Sequence, residues 1–131
     1  MGRSKQSIVY LDTHIVVWLY AGLTKKLTEN AKKAIEDCDV FISQMVRLEL
    51  QYLFEIGRIK VKPSKIIESL SRAINLKTTD CPLSKIIDEA LIIDWTRDVF
   101  DRLLTAEAKT KQTNFITADE KIRVNYSQAI W

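Results

Sequence analysis

The feature that most restricts the fold is a set of short apolar segments, each followed at once by a helix-like pattern. Ser7 to Leu11, Val40 to Ser43 and Asn114 to Thr117 are too short for helices and rich in β-branched and aromatic residues, which is typical of buried strands. Strands that alternate with helices predict an α/β fold. We expect a short, mainly parallel central sheet with helices on both faces.

Helical patterns fill most of the intervening sequence, and two further short strands are expected near the middle and the end of the chain. The predicted helices cover about 12–22, 27–38, 43–57, 64–76, 84–94, 98–112 and 119–124, and the predicted short strands fall within 77–83 and 129–131. In a sheet of this kind, ligands bind at the carboxyl ends of the strands.

The length of the chain predicts one domain over residues 1–131, of which residues 1–6 form a flexible basic tail. No segment approaches the roughly 18 consecutive apolar residues of a membrane helix, so no membrane association is expected. The N-terminal sequence does not resemble a secretion signal, because its apolar run ends at Asp12.

Cysteine and histidine are scarce, which restricts the chemistry available. Cys38 and Cys81 cannot form a disulfide framework or a cysteine-based zinc site, so a reducing cytoplasm is the expected compartment. His14 is the single histidine, so a zinc site built on several imidazoles is excluded. The net charge of +3 supports nucleic-acid binding only weakly.

Two aspartates lie where the strands of the predicted sheet end. Asp12 directly follows the first strand, and Asp119 lies two residues after Thr117. Both carboxylates are therefore expected at the edge of the sheet that carries ligand sites. Either aspartate also suits the N-cap position of the helix that follows it, so a purely structural role stays open for each.

A third carboxylate occupies an unusual place in the helix of SQMVRLELQYLFEIGRI, residues 43–59. At about 100° per residue, Glu49 falls in an apolar stripe that we expect to face the core. The stripe comprises Met45, Leu48, Tyr52, Leu53 and Ile56. A carboxylate there must be paired, protonated or directed at a polar cleft or a metal. Pairing with an arginine therefore remains an alternative to a metal site.

Two further aspartates, Asp98 and Asp101, lie three residues apart in WTRDVFDRLLTAEA. On a helical wheel, Asp101 falls at the boundary of the buried face, from which its carboxylate can reach a cleft. Asp98 and Arg102 fall towards water, which favours a surface or capping role for Asp98.

Asp12, Glu49, Asp101 and Asp119 together form a set of hard oxygen ligands that suits Mg²⁺ or Mn²⁺. Sites of this kind support hydrolysis of phosphodiesters. Without a metal, clustered carboxylates raise one another's pKa.

The sequence resembles PIN-domain proteins, particularly the VapC-type toxins of prokaryotic toxin–antitoxin pairs. The resemblance lies in YLDTHIVVWLYAG, in the helix that carries Arg47 and Glu49, in RDVFDRLLTAEA and in FITADEKI. These motifs occur in the family's order and cover nearly the whole chain. The resemblance implies a PIN-like three-layer α/β/α fold.

The resemblance also implies roles for individual residues. Asp12, Glu49, Asp101 and Asp119 match the catalytic acids around Mg²⁺ or Mn²⁺. Thr117 matches the hydroxyl residue before the last acid and is expected to orient an acid or water, while Asp98 matches an auxiliary acid. Val99 departs from the proline frequent in that branch, which affects helix initiation more than chemistry. His14 matches a residue common in that branch, for which we expect a packing or supporting role.

The function implied by the resemblance is that of a metal-dependent endoribonuclease, the toxin of a toxin–antitoxin pair, which forms a homodimer and binds a small antitoxin. Candidates for contacting the RNA backbone are Arg47, Arg58, Lys60, Lys62 and Arg102, although a solvated surface explains each equally well. The alternative is an inactive PIN module that binds RNA or a protein.

Two other α/β classes that use acidic residues fit the sequence poorly. A haloacid-dehalogenase-like phosphatase requires Asp-x-Asp after the first strand, where this chain has Asp12-Thr13-His14. A response-regulator receiver requires an aspartate at the end of a middle strand, and VFISQM has none.

Overall fold

Five strands form one parallel sheet in the computed structural model of the protein, which describes residues 7–131. The strands are β1 (Ile8–Leu11), β2 (Asp39–Ile42), β3 (Lys77–Thr78), β4 (Asn114–Ile116) and β5 (Ala129–Ile130). Their order is β3-β2-β1-β4-β5, and every neighbouring pair is parallel. The predicted parallel sheet is confirmed. The predicted tail, residues 1–6, lies outside the described residues.

Helices cover the two faces of the sheet and give the expected three layers. They are α1 (Thr13–Tyr20), α2 (Glu29–Asp37), α3 (Gln44–Glu55), α4 (Pro63–Ile74), α5 (Leu83–Leu91), α6 (Val99–Lys111) and α7 (Glu120–Asn125), with a short 3₁₀ turn at Thr24–Lys26. Proline at the first position of α4 has a fixed backbone angle suited to helix initiation. Among residues 7–131, no helix has the length and apolar character needed to cross a membrane.

The central position of β1 brings distant parts of the chain to one edge of the sheet. Leu11 at the end of β1 lies opposite Ile116 at the end of β4, and the Asp12 N–H donates to the Ile116 carbonyl at 2.9 Å. The residues that follow these two strands, Asp12 and Thr117, therefore lie side by side.

The core of the molecule packs around the three central strands. Side chains from β1, β2 and β4 are almost completely inaccessible to water, among them Val9, Leu11, Ile42 and Ile116. Burial of such a side chain contributes roughly 1.5–3 kcal/mol relative to its exposure. The core thus fixes the strand ends, and with them the residues that follow.

The buried face of α3 differs from the predicted one. Val46, Leu50 and Leu53 face the core, whereas Leu48 is 56% exposed, Tyr52 49% and Ile56 48%. Of the predicted stripe, only Leu53 is buried in the core. The two apolar sides are roughly 120° apart on the helix at about 100° per residue.

Candidate metal centre

Asp12 is held rigidly at the end of β1, where it caps α1. Its Oδ1 accepts a hydrogen bond from the Thr13 N–H at 2.8 Å, and its Oδ2 accepts one from Thr117 Oγ1 at 2.6 Å. Asp12 is 6% exposed and Thr117 is fully buried. Thr117 thus fixes the orientation of the Asp12 carboxylate from beneath.

Asp119 is tied to the same threonine. Its backbone N–H donates to Thr117 Oγ1 at 3.0 Å, and its Oδ1 caps α7 by accepting from the Ile122 N–H at 2.9 Å. The capping role considered for Asp12 and Asp119 is therefore real for both residues. It also orients both carboxylates towards the same edge of the sheet.

Glu49 reaches this edge of the sheet from α3. On the helix it lies between the side that faces the core and the exposed apolar side. The Thr13 hydroxyl donates to Glu49 Oε1 at 2.5 Å, and Thr13 itself is fully buried. In the part of the chain described, Glu49 forms no salt bridge with an arginine, and its hydrogen-bond partner is Thr13.

Asp98 and Asp101 enter from the first turn of α6. Asp98 is exposed and caps this helix, since its Oδ1 accepts from the Asp101 N–H at 2.9 Å. Capping was the role favoured for Asp98 by its position in the sequence. Asp101 is partly buried and projects from the same turn into the cleft.

These acidic side chains line one cavity of about 410 Å³. Its lining consists of Asp12, His14, Trp18, Glu49, Asp98, Asp101, Ala118 and Asp119. The structure therefore brings together all four carboxylates selected from the sequence, with the auxiliary Asp98 beside them. Thr117 supports two of the acids from below.

The electrostatics of the cleft favour a positively charged ligand. Burial raises the pKa of Asp101 to about 7, with smaller contributions from the charges of Asp98, Asp12, Asp119 and Glu49. Burial also raises the pKa of Asp12 and of Glu49, against the opposing effect of their threonine hydrogen bonds. A cation bound between these carboxylates would offset the cost of burying their negative charges and would reduce the repulsion between them.

The donor set fits Mg²⁺ or Mn²⁺, because the ligands that line the cavity are carboxylate oxygens apart from the single imidazole of His14. Within residues 7–131, however, no group of three His, Cys, Asp or Glu side chains is arranged as a ready-made metal cage. An open arrangement is compatible with Mg²⁺, which usually keeps several waters and uses only one or two carboxylates.

The arginines selected as RNA contacts lie outside the acidic cavity. Arg47 is exposed and donates to Gln44 Oε1 at 2.7 Å, while Arg58 is exposed just beyond α3. Arg102 differs from its predicted position towards water, because it is partly buried and its Nε donates to the Ala90 carbonyl at 2.8 Å. Its side chain therefore joins α6 to α5.

Two residues of the site were missed by the sequence interpretation, Thr13 and Trp18. Thr13 directly follows Asp12, and its contact with Glu49 spans 36 positions, which no local pattern reveals. Trp18 was predictable, because it lies four residues after His14, and positions i and i+4 of a helix lie on the same side.

Comparisons with known proteins agree with this fold. The PIN domain family matches residues 9–126. Comparison with curated protein sequences yields no match.

Among solved structures, the chain is similar to VapBC2 from Rickettsia felis bound to a DNA fragment from their promoter, with a TM-score of 0.59, 21% identity and coverage of 93% of this chain and 96% of that chain. It is also similar to a toxin–antitoxin complex from Klebsiella pneumoniae, with a TM-score of 0.66, 16% identity and coverage of 94% and 96%. A domain of a functionally unknown protein from Methanocaldococcus jannaschii matches with a TM-score of 0.57, 21% identity and coverage of 95% and 89%.

These structural similarities concern the fold, whereas the family match spans nearly every element that positions the acidic cleft, from β1 to the end of α7. The chain therefore belongs to the PIN domain family.

Proposed function

We propose that this protein is a Mg²⁺- or Mn²⁺-dependent endoribonuclease and the toxin of a toxin–antitoxin pair. The observation that carries the proposal is the convergence of Asp12, Glu49, Asp101 and Asp119 on one cleft. Among residues 7–131, no cysteine, serine or lysine that could act as a nucleophile lines this cleft. Hydrolysis assisted by a cation held between carboxylates is the chemistry that this set of side chains supports best.

The residues of the chain would hold the cation and keep the carboxylates oriented. Asp12, Glu49, Asp101 and Asp119 would be its ligands, directly or through water, and the hydroxyls of Thr117 and Thr13 fix Asp12 and Glu49. When bound, such a cation activates water and stabilises the charge that develops on the phosphodiester.

A positively charged segment beside α3 supports an RNA substrate. The connection from α3 to α4 carries the exposed cations Arg58, Lys60 and Lys62, and no acidic residue lies between positions 56 and 67. A groove of about 520 Å³ is lined in part by Lys62 and Arg47. Attraction of phosphates to this segment would deliver RNA towards the cleft, and the attraction would weaken as salt is added.

Two kinds of protein partner belong to the proposal. Solved structures of similar fold from Rickettsia felis and Klebsiella pneumoniae are VapBC2 and a toxin–antitoxin complex, which supports an antitoxin partner. We propose that this antitoxin is small and covers the cleft. The exposed apolar side of α3, formed by Leu48, Tyr52 and Ile56, supports a homodimer. We further propose action in the cytoplasm, consistent with the low cysteine content.

Cleavage of a labelled structured RNA by the purified, antitoxin-free protein tests the proposal. We expect cutting with Mn²⁺, none with EDTA, and none by Asp12→Asn. Asp88→Asn, an exposed acid on α5 away from the cleft, is the matched control and should cut like the wild type.

Cutting that survives both EDTA and Asp12→Asn would contradict the metal mechanism. RNA binding without cleavage, combined with no Mn²⁺ binding by calorimetry, would instead favour the inactive PIN module.

A further inference from the structure

Trp18 borders the same cleft as the four carboxylates, and the proposed hydrolysis does not use it. It lies one helical turn after His14 on α1, so the two side chains share one side of the helix. Their ring centroids are 6.3 Å apart, with the ring planes inclined at 50°. One side of a mostly acidic cavity is therefore lined by the aromatic rings of His14 and Trp18.

The indole of Trp18 is held by its neighbours without being covered by a parallel ring. The Trp131 ring lies 6.2 Å away at an angle of 46°, and Lys26 Nζ lies over the Trp18 ring, 5.5 Å from its centroid. Both aromatic neighbours are tilted, and Trp18 itself is only partly buried. The ring is thus held in place, and a planar group that stacks on it would displace the exposed Lys26 amine.

The charge of the cleft limits how a polyanion can be held there. Carboxylates dominate the lining, so they weaken the binding of RNA phosphates next to the cut site, most strongly when no cation is bound. Attraction that does not depend on charge would add to that of the cation and of the basic segment beside α3. Stacking of nucleobases on aromatic rings provides such attraction. Stacking accepts many RNA sequences, because every base has a π-face.

We propose that Trp18 stacks against an unpaired nucleobase of single-stranded RNA next to the phosphate that is cut. The exposed amine of Lys26 would lie near the phosphate of that nucleotide. Bases in a duplex are already stacked on both faces, so the contact selects single-stranded segments and loops. The inference rests on the proposed function in that it takes RNA as the substrate.

Binding measured in EDTA tests the stacking contact separately from cleavage. The probe is a short fluorescein-labelled single-stranded RNA of mixed sequence, followed by anisotropy with wild type, Trp18→Leu and Trp18→Phe. We expect binding about tenfold weaker for Trp18→Leu, which keeps apolar volume but has no π-face, and near-wild-type binding for Trp18→Phe. Melting curves check that both variants are folded.

Changes to the RNA test the same contact with the wild-type protein, so the test holds even if Trp18→Leu does not fold. An oligomer of the same length with abasic sites should bind about tenfold more weakly than the intact strand. For folded variants, the loss caused by Trp18→Leu should disappear with the abasic strand and with duplex RNA.

Equal binding of intact and abasic strands by the wild type would overturn the inference, as would an equal loss for single-stranded and duplex RNA in folded Trp18→Leu. Cleavage assays with Mn²⁺ keep the two proposals apart. Active cutting with an unchanged KM in Trp18→Leu would overturn the stacking role and leave the nuclease intact. Stacking-dependent binding without any metal-dependent cutting would overturn the nuclease and leave the stacking role.

Discussion

Asp101 links the stability of the protein to its acidic cleft. Its pKa rises from the ordinary 3.8 to about 7 because it is partly buried beside other carboxylates. Between pH 3.8 and about 7, the folded state therefore keeps a proton on Asp101 that the unfolded state has released. Protonated Asp101 stabilises the fold below its unfolded pKa, and this contribution is lost as the pH rises through about 7.

We predict that the metal-free protein melts at a lower temperature near pH 8 than near pH 5, because at pH 8 the folded protein must hold Asp101 in its ionised form. Asp101→Asn removes this carboxylate and should melt a few degrees above the wild type near pH 8. Thermal melts in EDTA over this range check the prediction, with Asp88→Asn as the control. A lower melting temperature for Asp101→Asn than for wild type near pH 8 would contradict it.

Thr13 is predicted to act on the proposed metal site through Glu49. Thr13→Val keeps the side-chain shape but removes the hydroxyl donor, so Glu49 loses its orientation. We expect Mn²⁺ affinity to fall about 10–100-fold, as it commonly does when a partner of a ligand is removed. Calorimetric titration measures this.

Thr13→Ser restores the hydroxyl and serves as the matched control, with affinity close to wild type. Equal Mn²⁺ affinity in wild type and Thr13→Val would show that the hydrogen bond does not position Glu49.

At the scale of elements, α3 has two apolar sides with different roles. One side, with Val46, Leu50 and Leu53, packs into the core, and the other, with Leu48 and Tyr52, faces outwards. Glu49 lies between the two sides, which allows its carboxylate to meet the cleft while the helix remains docked.

The two sides predict opposite sensitivities to truncation. Leu50→Ala removes fully buried apolar volume and should lower the free energy of unfolding by about 2–5 kcal/mol. Leu48→Ala, at a position 56% exposed, should change it by no more than about 0.5 kcal/mol. Urea denaturation of both variants measures the difference, and the reverse order would refute the assignment of the core side.

The strands and most helices could be predicted from the sequence, because their periodicities and their proline and glycine signals are local. The core side of α3 could not, since the helix is apolar over a wide arc and a pattern does not tell which part is covered by the same chain. Likewise, the position of Asp12 at a strand end was predictable, whereas its bond to Thr117 depends on pairing across 105 positions.

The outward apolar side of α3 continues onto a neighbouring helix at the scale of the whole molecule. The rings of Tyr52 and Phe100 lie 6.1 Å apart, and Val99, the residue before Phe100, is 64% exposed. Apolar surface drawn from two helices is typical of a surface that associates with another protein. It suits the homodimer proposed above.

We predict that Tyr52→Lys shifts the protein from dimer to monomer, because a cation at the centre of an apolar interface is desolvated without a partner. Sedimentation velocity measures the change. Val124→Lys, which alters another strongly exposed apolar residue on α7, should leave the dimer intact. A wild type that is monomeric at every concentration, or a Tyr52→Lys variant that stays dimeric, would exclude this surface as the interface.

The pairing of β1 with β4 also determines when the acidic cleft exists. Asp12 is joined through Thr117 to Asp119, so the first and last carboxylates are fixed only when β4 takes its place beside β1. During synthesis, a ribosome-bound chain that has not yet exposed this segment lacks a complete site. If the protein cuts RNA as proposed, the translating ribosome is shielded from its own product until the segment that carries β4 and Asp119 has left the ribosome.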